Sequence, residues 1–275
     1  MEVKLICLDM DGTLFAKNHE IPQINISALR RAIQRGIRVA LVSGRNYRFL
    51  GEFALKIDPG VILVSSNGSR IDEYTHGRCL YECTFAPEEY LKAAQAYWDL
   101  GLYFEVYTEN KNYIFRQELI PEDHRRALDN YLLNGHVIAT ETVDGAPIVP
   151  LGGVYKLVAF SPCVDKIISA RAYLDELGIR HCSSGSNNIE VMPRNSGKGA
   201  AVRRLAELFG IPVSEIMAFG DYTNDLEMLQ AAGHGVAMEN GVDELKAVAE
   251  LIAPRNTEGG VGQIIYKYVL EEAFE

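Results

Sequence analysis

Unbroken apolar runs that stop at small polar or acidic residues recur along this chain. "LICL" ends at Asp9 and Asp11, "IRVALV" at Ser43 and Gly44, "GVILV" runs into "SSNGS", and "IMAFG" into "DYTND". Between them the apolar spacing changes to a helical period. Ile26, Leu29 and Ile33 mark one helix that Gly36 stops, and Ala201, Val202, Leu205 and Leu208 mark another, ended by Gly210 and Pro212. Strands that are continuously apolar and alternate with helices predict a parallel sheet covered on both faces. The pattern continues with a short helix in "DLEMLQAAG", a strand at "GVAM", a helix around "VDELKAVAEL" and a last helix in "GQIIYKYVLEE".

The middle of the chain reads differently. From Thr84 to about Ile189 the pattern predicts a helix in "APEEYLKAAQAYW", strands "LYFEVYT" and "NYIFRQ" joined by "ENKN", and a helix in "PEDHRRALDNYLL". A strand "VYKLVAF" and a helix "VDKIISARAYLDELG" follow. The polar turn between the two strands implies an antiparallel hairpin, so this stretch is expected to be an α+β module inserted into an α/β core. The division expected is 1–83 with 190–275 for the core and 84–189 for the insertion.

Composition narrows the function classes. A length of 275 residues with 48% apolar and 23% charged content fits a folded globular chain with a sizeable core. A net charge of −10 argues against nucleic acid as the main partner, since phosphate-backbone binding needs a cationic face. The N-terminal residues lack the sections of a signal peptide, and no apolar run reaches membrane-spanning length, so a cytoplasmic location without membrane association is expected. Five cysteines without a C-x-x-C pair fit reduced thiols, and the six scattered histidines show no zinc spacing.

The chemistry is concentrated where apolar runs end. Asp9 and Asp11 are two apart, so their side chains point the same way if the extended backbone persists. Adjacent carboxylates repel unless a cation lies between them, and a third from Asp221 would complete an oxygen-rich site. Hard oxygen donors without His or Cys favour Mg2+, which is commonly shared with substrate phosphate. Ser43 and the Gly44 amide can donate to phosphate oxygens, and Lys198, just inside a helix start, adds a point charge where the helix dipole already favours anions. Each feature also has a plain structural reading: an Asp-Gly turn, a Ser-Gly loop, a solvated lysine, an N-cap at Asn224 or Asp225.

Two nucleotide-binding patterns fail on inspection. "RNSGKGAA" carries Met192 where a P-loop needs its first glycine, and Gly199 where it needs Ser or Thr; "GHGVAM" carries Met238 at the third glycine of a dinucleotide fingerprint.

Taken in order, "DMDGTLF", "VSGR", "GKGAAV" and "GDYTND" resemble the four motifs of the haloacid dehalogenase-like superfamily, in particular its Cof-type phosphatases, and "SSNGS" and "GVAMEN" resemble that subfamily's strand-end loops. The resemblance implies a Rossmann-like parallel-sheet core carrying a large α+β cap, with hinges near Cys83 and Ile189. It implies an Mg2+-dependent phosphatase in which Asp9 attacks phosphorus and forms an aspartyl-phosphate. Asp11 would protonate the leaving oxygen and then activate water. Metal ligands would be Asp9, the Asp11 carbonyl and Asp221; Ser43, Gly44, Lys198 and Asn224 would contact the phosphoryl group, and Asp225 would support the metal site from behind. Ser43 departs from the commoner threonine but keeps the hydroxyl.

Small phosphorylated metabolites, above all sugar phosphates, are the substrates this implies. A non-catalytic phosphometabolite sensor would keep Ser43 and Lys198 but has no need of Asp9, Asp11 and Asp221 together. Phosphotransfer to a sugar acceptor is a third reading. Tyr90, Tyr97, Tyr103, Tyr107 and Tyr113 of the insertion could stack on a ring, although packing is the simpler role.

Overall fold

The computed structural model describes residues 1–109, 111–126, 139–147 and 153–273. They divide into two compact units, Met1–Tyr81 with Gly197–Glu275, and Glu82–Ser196.

The chain opens with β1 (Leu5–Leu8), helix α1 (Gln23–Gln34), β2 (Arg38–Val42), α2 (Tyr47–Ile57) and β3 (Ile62–Ser65). A short hairpin follows, β4 (Arg70–Glu73) and β5 (Arg78–Glu82). The second unit contains α3 (Pro87–Asp99), β6 (Tyr103–Tyr107), β7 (Lys111–Phe115), β8 (Ala139–Val143), β9 (Lys156–Phe160), α4 (Val164–Glu176), β10 (His181–Cys182) and β11 (Asn188–Val191). The chain returns with α5 (Lys198–Phe209), β12 (Ile216–Gly220), α6 (Leu226–Ala231), β13 (His234–Met238), α7 (Asp243–Lys246), β14 (Leu251–Ala253) and α8 (Gly260–Ile264).

In the first unit the strands form one sheet, ordered β14-β13-β12-β1-β2-β3-β4-β5. The six from β14 to β3 are mutually parallel, and β4 turns back antiparallel to β3. All four residues of β1 are buried, which is why it reads as an unbroken apolar run. Leu5 and Cys7 pack with Val202 and Leu205 of α5 on one face, and by strand alternation Ile6 and Leu8 serve the other. Each such side chain contributes roughly 1.5–3 kcal/mol on burial. Cys7 is a core residue of this kind, its thiol pushed up to about 12 by burial, and none of the five cysteines is in a disulfide.

The expected helix around "VDELKAVAEL" stops at Lys246, and Leu251–Ala253 instead form the edge strand β14. Pairing with β13 outweighs the local helical spacing.

The second unit's sheet has the order β10-β11-β9-β6-β7-β8, with the expected β6–β7 hairpin antiparallel and β7–β8 parallel. Phe104 and Val106 of β6, Leu157 and Ala159 of β9 and Ile189 of β11 face α3 and α4 in one apolar cluster. Tyr90 and Tyr97 belong to that cluster and Tyr103 is also buried, so these rings pack the fold. On the sheet's other face Glu105 accepts from the Tyr103 hydroxyl and lies 2.6 Å from Nε2 of His124. Burial alone would raise the Glu105 carboxyl, but His124 and Tyr103 together lower it.

The expected helix from Pro121 is helical over 122–126, and its continuation lies outside the described residues. Ile189 lies buried within β11, paired with Ala159, so a hinge there does not fit; the chain passes between units at Tyr81–Glu82 and Ser196–Gly197. The stretch 190–196 stays with the second unit because β11 pairs with β9. No helix among the described residues is long and apolar enough to cross a membrane.

Candidate active site

The carboxyl ends of β1, β2 and β12 lie side by side, since β1 pairs in parallel with both neighbours. In open parallel sheets this rim is where ligands bind. β1 delivers Asp9 there, extended at φ −67°, ψ 162°, and then the backbone bends through Met10–Leu14 with Gly12 at φ +82°. A Cβ on Gly12 would come within 2.2 Å of Asp221 Oδ2, so glycine is required both by conformation and by the approach of Asp221.

This turn is tied down from several directions. Thr13 donates to Asp221 Oδ1 at 3.1 Å, Asn240 to the Gly12 carbonyl at 2.8 Å, and Asn256 to the Phe15 carbonyl at 2.7 Å. Asn25, fully buried on α1, donates to the Leu14 carbonyl at 3.3 Å and accepts from the Gly262 amide at 2.8 Å. The sequence pattern does not single out Thr13, Asn25 or Asn256. Asn240 closes "GVAMEN", so that loop's place in the site is structural support of the β1 turn.

Lys198 opens α5 after Gly197, whose φ is +131°. Its ammonium group, 2% exposed as a residue, donates at 2.5 Å to Asp9 Oδ1 and at 2.5 Å to Asp225 Oδ1. Asp225 Oδ2 accepts from the backbone N–H groups of Asp221 at 3.0 Å and Tyr222 at 3.2 Å. Asp225 thereby fixes both the lysine and the loop after β12. The "SSNGS" loop sets the helix start from the other side, because a Cβ on Gly68 would stand 2.5 Å from the Gly197 carbonyl.

Carboxylate oxygens of Asp9, Asp221 and Asp225 all lie within 4.8 Å of one another. A buried lysine beside three acids leaves the cluster short of positive charge. Burial pushes the Asp9 carboxyl well up and Asp225 and Asp221 push it further, against the pull of Lys198. Burial and then Asp225 raise Asp221 to about 7, opposed by Thr13 and Lys198. Lys198 itself is held charged: burial would lower it, but Asp225 and Asp9 outweigh that. A divalent cation would relieve the repulsion, and an all-oxygen donor set suits a hard ion such as Mg2+. Among the described residues Asp9 Oδ2 accepts no hydrogen bond, so that oxygen is open to a ligand.

Asp11 departs from the simplest expectation. The extended backbone that would align it with Asp9 breaks at Met10, and the carboxylate that joins Asp9 and Asp221 is that of Asp225. Asp11 is half-exposed and gripped by Arg45, whose Nε and Nη2 donate to its two oxygens at 2.6 and 2.8 Å. His19 Nε2 lies 3.6 Å from the same carboxylate, and the Arg45 guanidinium stacks 4.4 Å from the Phe49 ring centre. Burial alone would raise Asp11, but Arg45 and then His19 hold it well below the usual carboxylate range. Arg45 is the last residue of "VSGR" and His19 lies in a loop, so neither spacing nor periodicity pairs them with Asp11.

Ser43 and Gly44 follow β2 on this rim. Ser43 is buried, its backbone amide bonded to the Val64 carbonyl at 2.9 Å, and its hydroxyl accepts from the Arg45 amide at 3.3 Å, leaving the hydroxyl hydrogen available. Asn224 lies one residue before Asp225, half-buried, and its side chain makes no hydrogen bond among the described residues.

Comparison with known proteins gives the chain a family. Residues 6–265 match the family model of haloacid dehalogenase-like hydrolases. The chain is 32% identical to a 5-amino-6-(5-phospho-D-ribitylamino)uracil phosphatase of Bacillus subtilis, over 96% of this chain and 97% of that one. It is also 32% identical to an HMP-PP phosphatase of Klebsiella pneumoniae, over 89% and 87%. Among solved structures, a haloacid dehalogenase-like hydrolase of B. subtilis superposes with a TM-score of 0.84 at 26% identity, covering 97% of this chain and all of that one. A sheet of parallel strands, acidic strand ends and a match across nearly the whole length lead to one assignment: the chain belongs to the haloacid dehalogenase-like hydrolases.

Proposed function

We propose that this protein is a phosphatase that hydrolyses small phosphorylated metabolites, sugar phosphates among them, with Asp9 as nucleophile. The observation that carries the reading is the buried Lys198 bridging Asp9 and Asp225 at 2.5 Å, with Asp221 completing the acidic cluster and Asp9 Oδ2 open. The phosphatase names of the relatives above support the same class of reaction.

Asp9, Asp221 and the Asp11 carbonyl would hold Mg2+. The ion would supply positive charge that keeps Asp9 ionised and offsets the charge of the phosphoryl oxygens. A carboxylate needs no base to activate it, so Asp9 can attack phosphorus directly. The bond from an Asp9 oxygen to phosphorus forms as the ester P–O bond breaks, and the leaving oxygen takes a proton from Asp11. Water then attacks phosphorus, gives its proton to Asp11, and releases Asp9 and inorganic phosphate. Lys198, Ser43, the Gly44 amide and Asn224 bind the phosphoryl oxygens. With Arg45 on both its oxygens Asp11 is in its base form, so proton donation to the leaving group requires that ion pair to open.

A phosphate-release screen over sugar phosphates and phosphorylated cofactor precursors, with and without Mg2+, tests the reading. Release is expected only with a divalent cation, and EDTA is expected to remove it reversibly; equal rates in EDTA would contradict the cation's part in the proposal. A second check uses Gly12→Ala. The added methyl displaces Asp221 and strains a left-handed turn, so the cation concentration for half-maximal activity should rise about tenfold or more, while unfolding free energy falls by only ~1–2 kcal/mol. Unchanged cation dependence would remove Asp221 from the ligand set.

A further inference from the structure

A cavity lies within the unit Glu82–Ser196, built wholly from residues that the proposed chemistry does not use. Its volume is about 480 Å³, inside the range of roughly 300–1,000 Å³ typical of small-molecule sites. It opens where β7 and β8, paired in parallel with Phe115 opposite Val143, reach their carboxyl ends. Arg116 follows the first strand and Asp144 the second, so this is again the edge of a parallel pair where ligands gather.

Arg116 is the centre of the site. Its guanidinium lies 3.9 Å from the centre of the Trp98 ring and donates through Nη2 to the Trp98 carbonyl at 3.0 Å. Its Nε is buried and has no hydrogen-bond partner among the described residues, a costly state for a charged donor unless a ligand or water accepts from it. Its backbone sits at φ +53°, a left-handed conformation that a non-glycine residue holds only when its surroundings impose it. Arg125 lines the same cavity, and its side chain makes no ion pair among the described residues. Thr142 donates to Gln117 Oε1 at 2.9 Å, which leaves the Gln117 amide nitrogen as a further donor. The cavity also carries two acids, Glu118, with its side chain 67% exposed and 4.0 Å from Arg116, and the exposed Asp144. Donors in the wall, an orphaned buried N–H and an aromatic side call for a ligand that brings acceptors.

We infer that this cavity is a second binding site, for a small metabolite carrying an oxyanion, with Arg116 and Arg125 on the anion and Trp98 against its carbon skeleton. Phosphate and carboxylate share the chemistry, because a guanidinium fork matches either. The inference does not depend on the phosphatase reading.

Trp98 is the one tryptophan of the chain, so the site carries its own reporter. An oxyanion that draws the Arg116 guanidinium off the indole ring must change its fluorescence. Full-length protein, stripped of divalent cations on a chelating resin, is titrated separately with inorganic phosphate and with succinate. A saturable change in Trp98 emission with at least one of the two is expected, and the responding probe identifies the anion. Arg125→Gln, an exposed helical position whose substitution should leave thermal unfolding unchanged, should weaken that response at least tenfold, and Arg116→Gln likewise. No saturable response to either anion, or a response of undiminished affinity in Arg125→Gln, would overturn the inference.

Discussion

Asp9→Asn should cost phosphate release on the order of 10⁴-fold while leaving the fold as stable as before or slightly more so. The two halves of this result come from the same geometry. Asn keeps the shape of Asp9 and an oxygen to accept from Lys198, while Lys198 remains paired with Asp225 at 2.5 Å. Removing a carboxylate that burial and two neighbouring acids already push toward its neutral form relieves repulsion rather than breaking a needed contact. Turnover, by contrast, loses the attacking oxygen, since an amide is a far weaker nucleophile. Parallel measurements of steady-state rate and urea unfolding separate the two. A variant that retains a tenth of the activity, or one that loses activity only by unfolding, would contradict the assignment.

Lys198→Met should damage both properties. The ammonium group is buried between two carboxylates and is held charged by them, so deleting it leaves Asp9 and Asp225 facing each other with nothing between. Breaking a buried pair by removing one partner costs roughly 3–5 kcal/mol. Part of this loss should return in the double variant Lys198→Met with Asp225→Asn, which removes one of the two stranded carboxylates, but phosphate release should not return with it. The pair forms a thermodynamic cycle, and a strong coupling energy in stability is the expected reading. Additive losses would mean that Lys198 and Asp225 do not act as one unit.

The contrast between these two variants also shows what could be read in the sequence. "LICL", "VALV", "ILV" and "IMAFG" are legible as parallel strands because both of their faces are buried, which leaves no polar position to break the run. "RIDE" and "RCLYE" are not legible as strands: they form the edge hairpin beyond β3, and their charged residues mask the pairing. The three residues of β14 are hidden inside an apparent helical spacing for a similar reason, being too short to carry a period of their own.

Within the site, the acids at strand ends are conspicuous because charge after an apolar run needs an explanation. Thr13, Asn25 and Asn256 are not, since a buried hydrogen bond between distant residues leaves no local pattern. Arg45 is the instructive case. It is visible only as the end of a Ser-Gly loop, yet it holds Asp11 through two hydrogen bonds and so keeps that carboxyl well below the usual carboxylate range.

The nucleophile can be identified directly by chemical trapping. Enzyme mixed with a good substrate is quenched within the first turnover and treated with borohydride, which reduces an acyl phosphate to the alcohol, and the reduced residue is located by peptide mass spectrometry. The account predicts homoserine at position 9 in wild-type protein and none in Asp9→Asn. Reduction at any other acidic residue, or a sample with rapid phosphate release and no reduced residue at all, would contradict it.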